Sequence, residues 1–303
     1  MTHLYASCAY AEGLAGASAL AVPEWGAHVV RRPIADGLAD AAGVYPLAVL
    51  ARGADLDGGL QRLRAQGLVS VVLVPDPLRH PAGLMARSFE VCRPFKTHLL
   101  IDPAVGPFDP SKHHRDRIRR GHRRCRIEPV RLADHLDGWS ALYRGLVERR
   151  AVSGVAAFGE VYFRMLAARP EVTAFAAFVG ETLAGMTLWF AADGVVYNHL
   201  TAANALGYAN GASFALYDAA IQHFAGAGIV NLGGGAGHAD RDDGLSAFKR
   251  GFANAETQAH VCGAVLDPAR YAALGGPPGD GFFPAYRASA STASATSAMS
   301  RAS

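Results

Sequence analysis

Two hydrophobic spacings alternate along this chain. Short runs rich in β-branched and aliphatic residues predict strands: YPLAVLA at Tyr45–Ala51, VSVVLVP at Val69–Pro75 and THLLIDP at Thr97–Pro103. Between the first two, DLDGGLQRLRAQG places Leu56, Leu60 and Leu63 at helical spacing, with Asp55 as N-cap and Gly67 as the stop. The first third of the chain therefore reads as mixed α/β.

The pattern is clearer beyond Pro110. Ser111 caps a helix that gives way to a strand near Cys125–Val130. Two helices follow, HLDGWSALYRGLVERR and FGEVYFRMLAARP, the second stopped by Pro170. VTAFAAFVG, TLAGMTLWFAA and GVVYNHLTA then predict three antiparallel strands, joined at Gly180–Glu181 and Asp193–Gly194 by turns of hairpin length. ASFALYDAAIQHFAGAG sets Phe214, Tyr217, Ile221 and Phe224 on one helical face. GIVNLGGG is a strand, GLSAFKRGF a short helix and TQAHVCGAVLD a last strand. The layout is α+β, with mixed, mainly antiparallel sheets flanked by helices.

Residues 1–105 read as a shorter, degraded version of residues 106–275, although no internal repeat is visible. GGPPGDG at Gly275–Gly281 breaks any preceding element, and the tail at 287–303, RASASTASATSAMSRAS, is too poor in apolar bulk to pack and is expected to be disordered.

Composition narrows the class. The 303 residues are 50% hydrophobic and 18% charged, ample for a buried core. The four cysteines, Cys8, Cys92, Cys125 and Cys262, form no CxxC pair, which points to reduced thiols and no metal site. The N-terminal stretch lacks the pattern of a secretory signal. The uncharged run Gly194–Tyr217 carries Asn198, His199, Thr201, Asn204 and Asn210, a poor membrane span. A cytoplasmic protein without a transmembrane segment is expected.

Net charge is only +3, yet Lys112–Arg131 holds nine Lys and Arg against Asp116 and Glu128, a local +7. An anionic or phosphate-bearing partner would suit this patch, with Arg115, Arg119 and Arg123 on a broad helical face beside His122. A solvated helix face is the plainer alternative.

Other candidates carry two readings each. Gly233, Gly234 and Gly235 end a strand, where glycine lets backbone approach a ligand and turn N–H groups toward an anion or carbonyl; a plain turn is the alternative. His199 and Asn198 point to opposite faces of their strand. His199 could act as a general base near neutral pH, or be a core histidine with a satisfied hydrogen bond. Tyr217 could hydrogen-bond a ligand or protonate a leaving group, or belong to a core aromatic stripe. Asp242 and Asp243 are expected to cap the GLSAFKRGF helix.

Three segments together resemble one superfamily: RDRIRRGHRRCRIEPV, GASFALYDAAIQHFAGAGIVNLGGG and GLSAFKRGF. They are similar to the acyl-CoA N-acyltransferase (GNAT) superfamily, and more narrowly to its Fem-type, BioF2-like branch of aminoacyl-tRNA-dependent transferases, over roughly residues 40 to 275. GLSAFKRGF is similar to that branch's Gly-Leu-x-x-Phe-Lys-x-x-Phe element, the most specific of the three.

The resemblance implies a GNAT-like fold with two acyltransferase-like halves, the second one catalytic. It also implies direct transfer of an acyl or aminoacyl group to an amine on a small molecule or peptide. Neither a bound cofactor nor a metal is implied. The co-substrate would be aminoacyl-tRNA or acyl-CoA. LGYANGA at Leu206–Ala212 only loosely matches the Arg/Gln-x-x-Gly-x-Gly/Ala donor loop of ordinary acetyltransferases, which weakens the case for coenzyme A, and GLSAFKRGF with the basic helix turns the reading toward aminoacyl-tRNA. Lys249, with His199 and Tyr217, makes the expected catalytic set. Gly211, Asn231, Gly233, Gly234, Gly235 and Phe248 make the donor-binding set, and Arg115, Arg119 and Arg123 would take tRNA phosphates or the acceptor. Without the resemblance, Lys249 would read as a snorkelling lysine on a helix anchored by Phe248 and Phe252. A non-catalytic anion-binding protein of the same fold is the other class of reading.

Overall fold

The computed structural model describes residues 3–15, 18–150, 152, 156–235, 244–275 and 281–288. In chain order its elements begin with α1 (Cys8–Ala15), β1 (Ala19–Val22), β2 (Ala27–Pro33), β3 (Ala39–Gly43), α2 (Leu56–Ala65), β4 (Ser70–Leu73), α3 (Ala82–Met85) and β5 (Val91–Ile101). Next come α4 (Lys112–Arg124), β6 (Arg126–Val130), α5 (Leu136–Arg150), α6 (Glu160–Ala167), β7 (Thr173–Val179), β8 (Thr182–Ala192) and β9 (Val195–Ala203). The last are α7 (Ala205–Asn210), α8 (Ala212–His223), β10 (Ile229–Gly233), α9 (Gly244–Arg250), β11 (Ala255–Val265) and α10 (Pro268–Gly275).

These elements form two compact units, residues 1–95 with 259–303 and residues 96–258. The sequence reading placed its first boundary at 105 and kept residues up to 275 in the second half. In the structure the end of β11 belongs to the first unit because it pairs antiparallel with β4, Cys262 opposite Leu73.

In the first unit, β1, β2 and β3 form an antiparallel meander, and β3 runs parallel to β4. Asp55 caps α2 as expected, accepting the Gly58 N–H at 2.9 Å, and Gly67 leaves the helix at φ +71°. Trp25, Leu60, Leu63, Val71 and Leu73 pack in one core.

Two expectations fail here. YPLAVLA is not a strand: apart from an isolated bridge between Ala48 and Pro75 it is irregular, although Leu47, Ala48, Val49 and Leu50 are buried. An apolar run signals burial, and burial does not require a ladder. The disordered tail was expected to begin at Arg287. Instead Arg287 ends a short 3-10 helix, Ala285–Arg287, and its Nε lies 2.6 Å from the buried carboxylate of Asp40, which also pairs with Arg32. Residues 289–303 lie outside the described residues.

In the second unit the strand order is β5–β10–β9–β8–β7–β6. Strands β6 to β9 are successively antiparallel, β9 and β10 are parallel, and β10 and β5 are antiparallel. The two hairpins turn where expected, with positive φ at Gly180, Asp193 and Gly194. Ser111 caps α4, accepting the His114 N–H at 3.3 Å. The predicted single helix from Ala212 stops at His223, and a short α7 precedes it, capped by Asn204 and joined to α8 through Gly211 at φ +76°. Leu99, Val196, Trp189, Tyr217, Ile221, Val230, Leu232 and Phe252 form the core, with Phe214, Phe224 and Phe248 packed against it. This is the expected α+β layout.

Candidate functional site

The end of β10 is irregular on both sides. The parallel ladder to β9 covers Ile229–Asn231 against Val195–Tyr197, while β9 runs on to Ala203. The ladder to β5 shifts register between Asn231 and Gly233. Gly233 then takes φ +76°, a conformation other L-residues adopt only under strain. A Cβ there would also stand 3.2 Å from the Lys249 ammonium. Glycine at 233 is thus favoured by the turn, and a side chain there would press on the cation, which would have to give by a few tenths of an ångström.

The glycine carbonyls are held by lysines. Lys249 Nζ donates to the Gly234 carbonyl at 2.8 Å, and Lys96 Nζ to the Gly235 carbonyl at 3.1 Å. The Gly233 N–H donates to Asn231 Oδ1 at 2.8 Å. The expected picture had glycine N–H groups turned toward a ligand, whereas the Gly233 N–H is occupied by its own neighbour. Lys249 is only 8% exposed, so its charge faces protein instead of bulk water. A buried ammonium is costly unless its environment supplies acceptors, and it exerts a stronger field than a surface lysine.

The FKRGF segment shows how that lysine is placed. Phe248 and Phe252 pack on Tyr217, with ring centroids 4.8 and 5.4 Å away, and both contact Phe214. His114, on α4, bridges Ser111 Oγ at 3.1 Å and the Phe248 carbonyl at 2.7 Å. The Ser111 N–H donates to the Gly251 carbonyl at 2.9 Å, and any Cβ on Gly251 would overlap the His114 ring. The two phenylalanines anchor α9, Gly251 lets α4 close over its end, and Lys249 is directed at the glycines. The sequence reading did not single out His114; its signal was the Ser-x-x-His spacing at the start of α4. Asp242 and Asp243, expected as caps of this helix, lie outside the described residues.

His199 and Tyr217 sit in separate buried networks. His199 Nε2 is 2.6 Å from the Tyr162 hydroxyl on α6, and complete burial pushes its pKa down to about 3. That is a weak base in the setting of a core histidine. Asn198 faces the other way, as alternation requires. Its Oδ1 accepts the Tyr217 hydroxyl at 2.7 Å, and its Nδ2 donates to Thr187 and Thr201 at 3.1 and 3.3 Å. Trp189 Nε1 donates to the same Thr187 hydroxyl at 2.8 Å. Burial raises the Tyr217 pKa, so it stays a neutral phenol at physiological pH.

Gly211, read as a donor-loop residue, joins α7 to α8 beneath α4: its N–H donates to Tyr208, and a Cβ would lie 3.6 Å from the Arg117 carbonyl. On α4, Arg115 pairs with Asp109 at 2.6 Å, and Arg119 pairs with Asp116. Arg123 is exposed, as are Arg117 and Arg124; these three have no ion-pair partner among the described residues. Arg120, half-buried between the last two, donates to the Ala209 carbonyl at 3.3 Å. Among the described residues no His, Cys, Asp and Glu group could hold a metal, and no helix is long and apolar enough to cross a membrane.

No family model and no curated protein matches the chain. Solved structures do. The C-terminal domain (DUF2156) of a protein assigned as a lysylphosphatidylglycerol synthetase from Agrobacterium fabrum superposes with a TM-score of 0.58 at 16% identity, over 88% of this chain and 89% of that one. FemX gives 0.57 at 12% identity, over 82% and 86%. L-PGS from Bacillus licheniformis gives 0.55 at 13% identity, over 84% and 89%. At such identities the likeness is one of fold, and the fold is the GNAT-like, Fem-like one implied by the sequence resemblance.

Proposed function

We propose that this protein is an N-acyltransferase that moves an acyl or aminoacyl group from an activated donor directly to an amine, with aminoacyl-tRNA as the donor. The observation that carries this reading is the buried Lys249 ammonium, held at the end of β10 in a fold shared with FemX and the lysylphosphatidylglycerol synthetases. In such a reaction the amine nitrogen attacks the donor carbonyl carbon. The new C–N bond forms, the C–O bond to the tRNA ribose breaks, and the amine proton balances the released hydroxyl. Charge develops on the carbonyl oxygen before the C–O bond breaks, and a fixed cation in a water-poor site stabilises that charge. Lys249 has the chemistry and setting for this role.

The donor preference draws on two further features. Arg117, Arg123 and Arg124 of α4, exposed and without an ion-pair partner among the described residues, suit a polyanion. The LGYANGA segment at Leu206–Ala212 departs from the donor loop of ordinary acetyltransferases. An acyl-CoA donor is the alternative within the same chemistry. The acceptor is an amine on a small molecule or a peptide, and a cytoplasmic site of action suits a tRNA donor.

The deciding experiment is a donor screen. The purified chain is titrated with deacylated tRNA, aminoacyl-tRNA and acyl-CoAs at about 50 and 200 mM salt, and transfer to model amines is followed. Tight aminoacyl-tRNA binding that weakens steeply with salt, with no CoA binding, supports the reading. CoA binding alone replaces the donor, and binding without transfer to any amine favours a non-catalytic anion binder.

A further inference from the structure

Among the described residues, one buried polar group at the end of β10 lacks a partner. Asn231 is 2% exposed, and among the described residues its side-chain Nδ2 makes no hydrogen bond. A buried amide NH2 left without an acceptor costs about 1–3 kcal/mol, so its persistence asks for a ligand.

Its orientation follows from its neighbours. The Gly233 N–H can only donate, and it lies 2.8 Å from Asn231 Oδ1, which fixes the oxygen on that side. His98 Nδ1 lies 3.2 Å from the same oxygen. An amide oxygen only accepts, so His98 must carry its proton on Nδ1 and donate it. His98 is itself 7% exposed, on β5. Two donors thus hold the amide oxygen, and the NH2 has no freedom to flip. Asn231 is also where the β9 ladder ends and the β5 ladder shifts register, two residues before the glycine whose successor binds Lys249.

We infer that the Asn231 NH2 is a hydrogen-bond donor for the carbonyl oxygen of the bound acyl donor, complementing the Lys249 ammonium, and that His98 is the positioning residue that locks Asn231 in that orientation. The inference rests on the transferase reading. It applies to an ester or a thioester donor alike, because both present a carbonyl oxygen that gains charge as the amine adds.

The test uses the full chain. Asn231→Asp keeps an oxygen for Gly233 and His98 and replaces the NH2 donor with a second acceptor. With whichever donor the wild type uses, it is expected to lose about 100-fold in kcat with KM within a few-fold, the size seen when one oxyanion donor is removed. His98→Phe should lose about tenfold, and His98→Gln, which restores an N–H donor, should recover most of that. Should the variants fold poorly, wild-type spectra decide: the Asn231 side-chain NH2 signal should shift on adding a non-reactive aminoacyl-adenosine amide or acetyl-CoA, and the His98 imidazole should show the Nδ1–H tautomer. Asn231→Asp turnover within twofold of wild type, or an NH2 signal that stays put while a donor analogue binds, overturns the inference and leaves the transferase reading standing. If the wild type neither binds nor transfers from any donor, the transferase reading falls and this inference with it.

Discussion

The Lys249 ammonium lies 2.8 Å from the carbonyl oxygen of Gly234, fifteen residues earlier in the chain. That bond joins the short α9 to the end of β10. Replacing Lys249 with Met keeps the apolar stem and removes the charge. The variant should fold with a melting temperature within a few degrees of wild type, since the burial cost of the ammonium goes with it. Transfer should fall by about 100- to 1000-fold. Turnover and a thermal melt on the same preparation check both parts. Full activity in a folded Lys249→Met chain would reduce Lys249 to a structural tie.

Gly251 faces the imidazole of His114, and a Cβ there would overlap the ring. Gly251→Ala must push His114 away from the Phe248 carbonyl, which it meets at 2.7 Å. The expected cost is about 1–3 kcal/mol, measured as a lower urea midpoint. Gly244→Ala, at the other end of α9 where a Cβ meets nothing within 4 Å, serves as the control.

Buried histidines make stability depend on acid. His199 is pushed down by burial from its ordinary 6.5 to about 3. Burial and then the nearby Arg79 charge push His80 down to about 4. Below pH 6.5 the unfolded chain binds protons that these folded groups refuse. Their contribution is therefore intact above 6.5 and is lost as pH falls toward the folded values. At pH 5 His199 alone should cost about 2 kcal/mol. His199→Gln keeps a partner for the Tyr162 hydroxyl and should flatten that part of the pH profile of unfolding free energy. An unchanged slope would show that His199 titrates normally.

Tyr217 and Asn198 share a 2.7 Å hydrogen bond inside the core. Tyr217→Phe leaves Asn198 Oδ1 without its donor and should destabilise by about 1–2 kcal/mol. Its raised pKa and burial make it a poor proton donor, so turnover should stay within a few-fold of wild type. A loss beyond about 100-fold without destabilisation would restore the catalytic role read from sequence.

The arginines of α4 divide by partnership. Arg119 is tied to Asp116, whereas Arg117 and Arg124 are exposed without an ion-pair partner among the described residues. If tRNA binds, Arg117→Ala and Arg124→Ala should each lower affinity and reduce the salt slope by about 1, with a smaller effect for Arg119→Ala. Fluorescence titrations at several salt concentrations read both quantities.

The second unit was readable from sequence because its strands are long, strongly apolar and separated by residues built for turns, such as Asp193–Gly194. The first unit was harder. ALAV at β1 and ADAAG at β3 have too little contrast between apolar and polar positions to announce a strand, while YPLAVLA is apolar enough to look like one and is irregular. Within the candidate site, Gly233–Gly235, Phe248 and Lys249 stood out because one local strand-to-helix passage carries them all. Their geometry was decided elsewhere. His98 meets Asn231 across 133 positions, and His114 meets Phe248 across 134. Spacing along a chain specifies which side chains share a face of one element. Which faces meet, which polar groups find partners and which are left without one are settled only when strands pair and helices pack. The sequence by itself thus determined most elements of the second unit and the short segment bearing the lysine, and tertiary structure alone decided that His199 is a buried weak base and that, among the described residues, Asn231 keeps an unspent donor.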